Sequence, residues 1–186
     1  MQNIAVILAA GSGKRFSKFL PKQFSRIGGQ MIIEHVLLLF NKCEKVDSIV
    51  VVCQKDKIGF VGYLAKKLQI TKPLHAIRGG KERMDSTNNA IRYLKKKVND
   101  SDNIIIHDSA RPFLSADVIE NCIETLKKYD AIDVVDETKD TIVEVDGKGV
   151  LVNIPKRANL RLGQTPQAFK FGILQKAFSE AYKKEN

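Results

Sequence analysis

The sequence has no tryptophan and only three cysteines among its 186 residues, and no apolar run approaches the roughly 20 residues that span a bilayer. Cys43, Cys53 and Cys122 are odd in number, widely spaced and form no CxxC pair, which excludes a disulfide framework and a zinc site. Buried free thiols are the expected state. The N-terminal MQNIAVILAA lacks the basic start and the full-length apolar stretch of an export signal, so the chain is expected in the cytoplasm, with no membrane partner. Internal repeats, low-complexity tracts and interdomain linkers are missing too. A single domain over residues 1–186, large enough to bury its own core, is therefore expected. No aromatic residues are interleaved with the lysines, so a base-stacking platform for nucleic acid is not indicated.

Positive charge is what the chain has in excess, with 31 Lys and Arg against 21 Asp and Glu and a formal net charge of +10. That balance points to an anionic partner without choosing between a nucleic acid and a small phosphate ester. Much of the excess sits in the runs Lys95-Lys96-Lys97, Lys127-Lys128 and Lys183-Lys184, each near the expected C-terminal end of an amphipathic segment. Cations there suit the helix dipole and stay solvated. A non-catalytic basic module that binds nucleic acid through these lysines is the alternative of another class. Binding that weakens with salt would mark it, whereas saturable binding of a small anionic ligand would mark an enzyme.

Strand-like and helix-like stretches alternate along the chain. IAVIL (4–8), SIVVVC (48–53), LHAI (74–77) and NIIIH (103–107) are short, β-branched and apolar on both faces, as in the central strands of a covered parallel sheet. MIIEHVLLLF (31–40), KIGFVGYLAKKL (57–68) and DSTNNAIRYLKKK (85–97) repeat apolar residues at three- and four-residue steps, and SADVIENCIETLKKY (115–129) adds Ser115 as a helix N-cap. The pattern predicts an α/β fold, a Rossmann-like, mainly parallel sheet flanked by helices, with binding at the C-terminal ends of the strands. The rhythm breaks after Asp130. TIVEVDGKGVLVNIP (141–155) reads as two strands around Asp146-Gly147-Lys148-Gly149, a hairpin arm at about 138–160 that projects from the core.

The stretch ILAAGSGKRFSKFLPKQF (7–24) leaves the first strand and enters a loop rich in glycine and cations. Backbone N–H groups turn outward at such a place, and glycine lets a ligand approach. The dinucleotide fingerprint fails because Phe16 takes the third glycine position, and the P-loop pattern fails because Arg15 follows Lys14. A plain strand-to-helix turn that needs positive φ would explain Gly11 and Gly13 alone. Arg15 and Lys22 beside them favour triphosphate binding.

LAAGSGKRF and LPKQF, followed in order by GGKERMDS (79–86), HDSARPF (107–113), DTI (140–142) and GQTPQAF (163–169), resemble the motifs of the cytidylyltransferases that activate small sugar-alcohol phosphates. That family includes the 2-C-methyl-D-erythritol 4-phosphate enzyme of isoprenoid synthesis and the ribitol 5-phosphate enzyme of teichoic-acid or capsule synthesis. The resemblance implies a nucleotidyltransferase-type fold in which an acceptor phosphate attacks the α-phosphorus of CTP and expels pyrophosphate. It assigns Arg15 and Lys22 to the triphosphate and the transition state, and Asp108 to Mg²⁺, which prefers carboxylate and phosphate oxygens. Ala9, Ala10, Gly11, Gly13, Gly79, Gly80, Asp85 and Ser86 are assigned to the nucleotide. Arg111, Thr141, Arg157 and Thr165 are assigned to the acceptor.

The bland alternatives stay open at this point. Asp108 serves equally as a loop cap, Asp85 and Ser86 as the N-cap of the next helix, and Arg157 as a surface cation. Arg83 binds solvent or an anion. His107 is assigned no acid–base role, because the attacking phosphate is already anionic. In relatives the arm reaches into a neighbouring subunit, so a homodimer with shared sites is implied. Family members normally continue for some tens of residues beyond QAF and its helix, so their C-terminal segment is expected to be absent from these 186 residues. The run NIPKRANLRLGQTPQAF is closer to the pentitol-phosphate branch than to the methylerythritol branch, which favours a ribitol 5-phosphate type of acceptor.

Overall fold

The computed structural model describes residues 1–11, 13 and 21–184. Its elements are β1 (Asn3–Ala9), β2 (Arg26–Ile27), β3 (Gln30–Met31), α1 (Ile32–Lys42), β4 (Ser48–Cys53), α2 (Ile58–Lys67), β5 (Leu74–Arg78), α3 (Arg83–Leu94), β6 (Asn103–Asp108), α4 (Ala116–Thr125), β7 (Ala131–Glu137), β8 (Glu144–Val145), β9 (Leu151–Asn153), β10 (Arg161–Lys170) and α5 (Phe171–Lys184). A six-stranded sheet in the order β5-β4-β1-β6-β10-β7 forms the centre. β5, β4, β1 and β6 are parallel, whereas β10 runs antiparallel to both β6 and β7.

Strand alternation divides the apolar residues between two layers. Ala5, Ile7, Ile49, Val51 and Ile105 face Ile33, Leu37 and Phe40 of α1, Val61 and Leu64 of α2, and Ile119 and Ile123 of α4. Ile4, Val6, Val50, Val52, Ile104 and Ile106 face Ala90, Ile91 and Leu94 of α3, and Phe171 and Leu174 of α5. Burial on both sides explains why these strands are continuous apolar runs. Each fully buried Ile or Leu contributes about 1.5–3 kcal/mol relative to exposure.

Two strands escape the sequence pattern. β7, AIDVVDE, mixes apolar and acidic residues at the edge of the sheet, and β10 holds Gly163 and Pro166 within a register shift between Gly163 and Gln167. Such residues demote a stretch in any reading by propensity, yet an irregular strand tolerates them. The Thr165–Pro166 peptide is cis. The third helix begins at Arg83 rather than Asp85, with Glu82 at the N-cap and Asp85 at N3 accepting the Glu82 N–H at 3.0 Å. Ser115 occupies the N-cap of α4 as expected, without a side-chain capping bond. β8 and β9 form a separate two-stranded ribbon between β7 and β10, where the arm is expected. Among the described residues no helix is long and apolar enough to cross a membrane.

Candidate active site

A cleft of about 350 Å³ opens at the C-terminal ends of β1 and β6 against the start of α3, lined by Ala10, Gly11, Gly13, Lys22, Gly80, Ser86 and Asp108 among others. Its floor is pinned by Gln23, whose buried amide donates to the carbonyls of Ala9 at 2.8 Å and Gly11 at 2.9 Å. Gly13 has φ +64°, and a Cβ there would lie 2.8 Å from the Lys22 nitrogen. At the opposite wall a Cβ on Gly79 would meet the Cβ of Ala10 at 2.3 Å, and one on Gly80 would meet the Cβ of Asp85 at 2.0 Å. The two glycines thus bring the β5–α3 loop hard against the end of β1. Ser86 is buried and accepts the Gly80 N–H at 3.1 Å, which leaves its hydroxyl proton free to face a ligand.

The nucleotide set read from the motifs divides in place. Ala10, Gly11, Gly13, Gly80 and Ser86 line this cleft, and Gly79 lines an adjoining one with Ala10 and Lys81. Ala9 is buried just behind. Asp85 caps α3: one carboxylate oxygen accepts the N–H groups of Lys81 and Glu82, and the other accepts the Tyr182 hydroxyl at 3.1 Å. These bonds, the Glu82 N–H foremost, hold its carboxyl below the usual aspartate value. Arg15 lies outside the described residues.

Asp108 ends β6 with an arginine on each oxygen, Arg83 Nε at 3.2 Å from Oδ1 and Arg111 Nε at 3.6 Å from Oδ2. Arg83 also donates to Gln167 Oε1 at 2.9 Å. Beyond Asp108 lies a second cleft, about 370 Å³, lined by Lys22, His107, Arg111, Phe113, Gln164 and Thr165 among others. Lys22 and Ala110 line both clefts, so the two meet there. Arg111 bonds to Gln164 within the second. Thr141 and Arg157 line neither; both are exposed on the arm, where Arg157 donates to the Lys139 carbonyl at 3.0 Å. Burial, the largest influence, pushes the His107 imidazole below its ordinary pKa.

GGKERMDS, HDSARPF and GQTPQAF meet the described residues of LAAGSGKRF and LPKQF at one end of the sheet because β10 is antiparallel and delivers Gln164 and Thr165 beside the end of β6, whereas DTI lies on the arm. The model of the family "IspD: 2-C-methyl-D-erythritol 4-phosphate cytidylyltransferase" matches residues 3–186. The chain belongs to this cytidylyltransferase family. The bifunctional ribulose 5-phosphate reductase/CDP-ribitol pyrophosphorylase Bcs1 of Haemophilus influenzae is 42% identical over 178 residues, which are 95% of this chain and 37% of that protein. The 2-C-methyl-D-erythritol 4-phosphate cytidylyltransferase of Thermosipho melanesiensis is 40% identical over 95% of this chain and 76% of its own length. The crystal structure of 4-diphosphocytidyl-2C-methyl-D-erythritol synthase from Anaerococcus prevotii superposes with a TM-score of 0.84 at 26% identity, covering 98% of this chain and 75% of the other.

Within this cytidylyltransferase chain, Gln23, Arg83 and His107 hold the site together although the motifs yield no role for them. The signal for the first two is present in PKQ and GGKER, and both side chains line the first cleft themselves.

Proposed function

We propose that the chain transfers CMP from CTP to a small polyol phosphate of the ribitol 5-phosphate type, releasing pyrophosphate. The observation that carries the reading is the meeting of two clefts at Lys22, one walled by backbone and glycine and the other by Arg111 and Thr165. CTP would lie in the first, its base against Ala10, Gly80 and Ser86. A wrong base there leaves buried polar groups unpaired, which costs affinity. The acceptor phosphate would lie in the second. Its oxygen attacks the α-phosphorus, a new P–O bond forms, the α–β bridging bond breaks, and the electron pair leaves with pyrophosphate. Lys22 sits where negative charge grows, and Arg15 is assigned beside it by motif.

Mg²⁺ fits the donor set. Among the described residues no three His, Cys, Asp or Glu side chains gather into a cage, and a single carboxylate beside nucleotide phosphates is the usual way to hold this ion. Asp108 would hold it, and when bound it would neutralise triphosphate charge. Arg83 and Arg111, which now take the two carboxylate oxygens, are then available to phosphate.

Thr141 and Arg157 would complete an acceptor site in a second subunit. The arm exposes Val143, Val145, Val150, Leu151, Val152 and Ile154, an apolar ribbon suited to burial in a homodimer. Three free, buried cysteines suit a reducing compartment, and the cytoplasm is the proposed location.

The pentitol-like run before QTPQ and the Haemophilus relative support ribitol 5-phosphate; the family model and the Thermosipho relative support 2-C-methyl-D-erythritol 4-phosphate as the alternative. Pyrophosphate release from CTP is measured with ribitol 5-phosphate, ribulose 5-phosphate and 2-C-methyl-D-erythritol 4-phosphate in parallel. The highest kcat/KM is expected for ribitol 5-phosphate, and no release with any of the three overturns the reading.

A further inference from the structure

His107 lies on β6 with 1% of its surface exposed, at the back of the second cleft. Its ring joins two groups of the second cleft. Nε2 lies 2.9 Å from the Arg111 carbonyl oxygen, and Nδ1 lies 2.9 Å from Thr165 Oγ1. A carbonyl oxygen only accepts, so Nε2 carries the hydrogen. With Nε2–H given to that carbonyl, Nδ1 offers its lone pair to the Thr165 hydroxyl, which donates its proton to it. Thr165 Oγ1 is also 3.5 Å from the Asp108 N–H, a weak contact on its accepting side. The hydroxyl is therefore fixed as a donor to His107, and its remaining lone pair is the acceptor that Thr165 presents to the second cleft.

We infer that His107 is a positioning residue of the acceptor cleft, which ties the Thr165 hydroxyl on β10 to the Arg111 backbone beyond β6 and fixes the hydrogen-bond polarity that Thr165 presents. The inference rests on assigning that cleft to the polyol phosphate, and it adds a division of labour. An outward-facing acceptor suits a hydroxyl of the polyol and repels a phosphate oxygen, which falls to cations such as Arg111. The sequence hides this role because an imidazole reads as an acid–base group before its partners are known.

Two variants separate the two bonds by covalent geometry. In His107→Gln the side-chain amide nitrogen reaches the place of Nε2 and keeps the bond to Arg111 while the bond to Thr165 is lost. In His107→Asn the amide oxygen takes the place of Nδ1 and keeps Thr165 while Arg111 is released. Each is expected to raise the KM for ribitol 5-phosphate about tenfold, with kcat and the KM for CTP within about threefold of the parent. Added to Thr165→Val, the Gln change should have little further effect, whereas the Asn change should add its full effect. Nitrogen-15 NMR of the full chain labelled at histidine should show His107 as the Nε2–H tautomer at neutral pH.

An Nδ1–H tautomer overturns the inference. So do variants that melt earlier but leave the KM for ribitol 5-phosphate unchanged, or that raise both KM values alike. If the parent chain uses no acceptor at all, the proposed function fails, while the tautomer and the coupling of His107 to Thr165 in melting temperature still decide this inference.

Discussion

Lys22 borders both clefts, and no ion pair to an acidic side chain holds it there among the described residues. Replacing one such charge with Lys22→Ala should lower turnover at saturating CTP by roughly 10²-fold; near-normal turnover would remove it from the chemistry. Glu34 illustrates the opposite use of charge. Its side chain is 1% exposed, with Lys67 Nζ at 2.6 Å and the Met31 N–H at 2.7 Å. Burial alone would raise its pKa, but the Lys67 and Met31 bonds prevail and hold it below the ordinary value. The folded state then binds its proton less readily than the unfolded chain. The stabilisation is complete above the ordinary glutamate pKa and is lost as pH falls through the folded value. Lys67→Met leaves a buried carboxylate unpaired and should cost about 1–3 kcal/mol near neutral pH, discounted because Lys67 is 43% exposed. Melting curves from pH 3 to 7 should show the largest loss near neutrality and a flatter acid limb. At this scale the motifs name what lines the clefts and miss what holds the lining in place. Asp85, read as a nucleotide residue, is engaged in capping, and Arg83, left open in the sequence, reaches Asp108.

Close approach of elements depends on glycine at two positions. Gly80→Ala would set a Cβ 2.0 Å from the Cβ of Asp85 and 3.1 Å from its backbone carbon, which are not free ends that can swing away. Overpacking of this kind costs about 1–3 kcal/mol, and CTP affinity should fall about tenfold or more as the start of α3 is displaced. Gly59→Ala on α2 has nothing within 4 Å and should be neutral or stabilising. Equal melting temperatures and CTP affinities in the two variants would refute the packing argument. The arm predicts a second contrast. Arg157→Ala should weaken use of the acceptor far more than binding of CTP. If the arm completes a neighbouring subunit's site, as proposed, mixing Arg157→Ala chains with Lys22→Ala chains should restore part of the activity, because one composite site per heterodimer would stay intact. Demonstrated subunit exchange without recovery would place Arg157 within its own subunit. β1, β4 and β6, buried on both faces, were legible within about a residue; β5 was legible in extent but not in place, since it lies at the sheet edge and is only half-buried rather than a covered central strand. β7 and β10 were not, because their sequences serve an exposed edge and an irregular seam, where tertiary pairing outweighs propensity.

For the molecule as a whole, the βαβ rhythm pointed to the C-terminal ends of the parallel strands, where the candidate clefts open, and the +10 charge pointed to an anionic ligand. The division into two clefts was not legible, since it needs the pairing of β10 with β6, about 60 residues away along the chain. That pairing also sets an order of assembly. β7 precedes β10 in the chain, yet in the sheet it borders β10 alone. It has no edge to join until residues 161–170 have emerged and docked on β6. The four parallel strands, by contrast, are all made by residue 108. Pulsed hydrogen exchange during refolding should protect the amides of β1, β4 and β6 first, and those of β7 and β10 together in a later step; early protection of β7 would contradict this order. A chain leaving the ribosome would then have β1, β6 and α3 around its first cleft while the strand that carries Thr165 is still being synthesised.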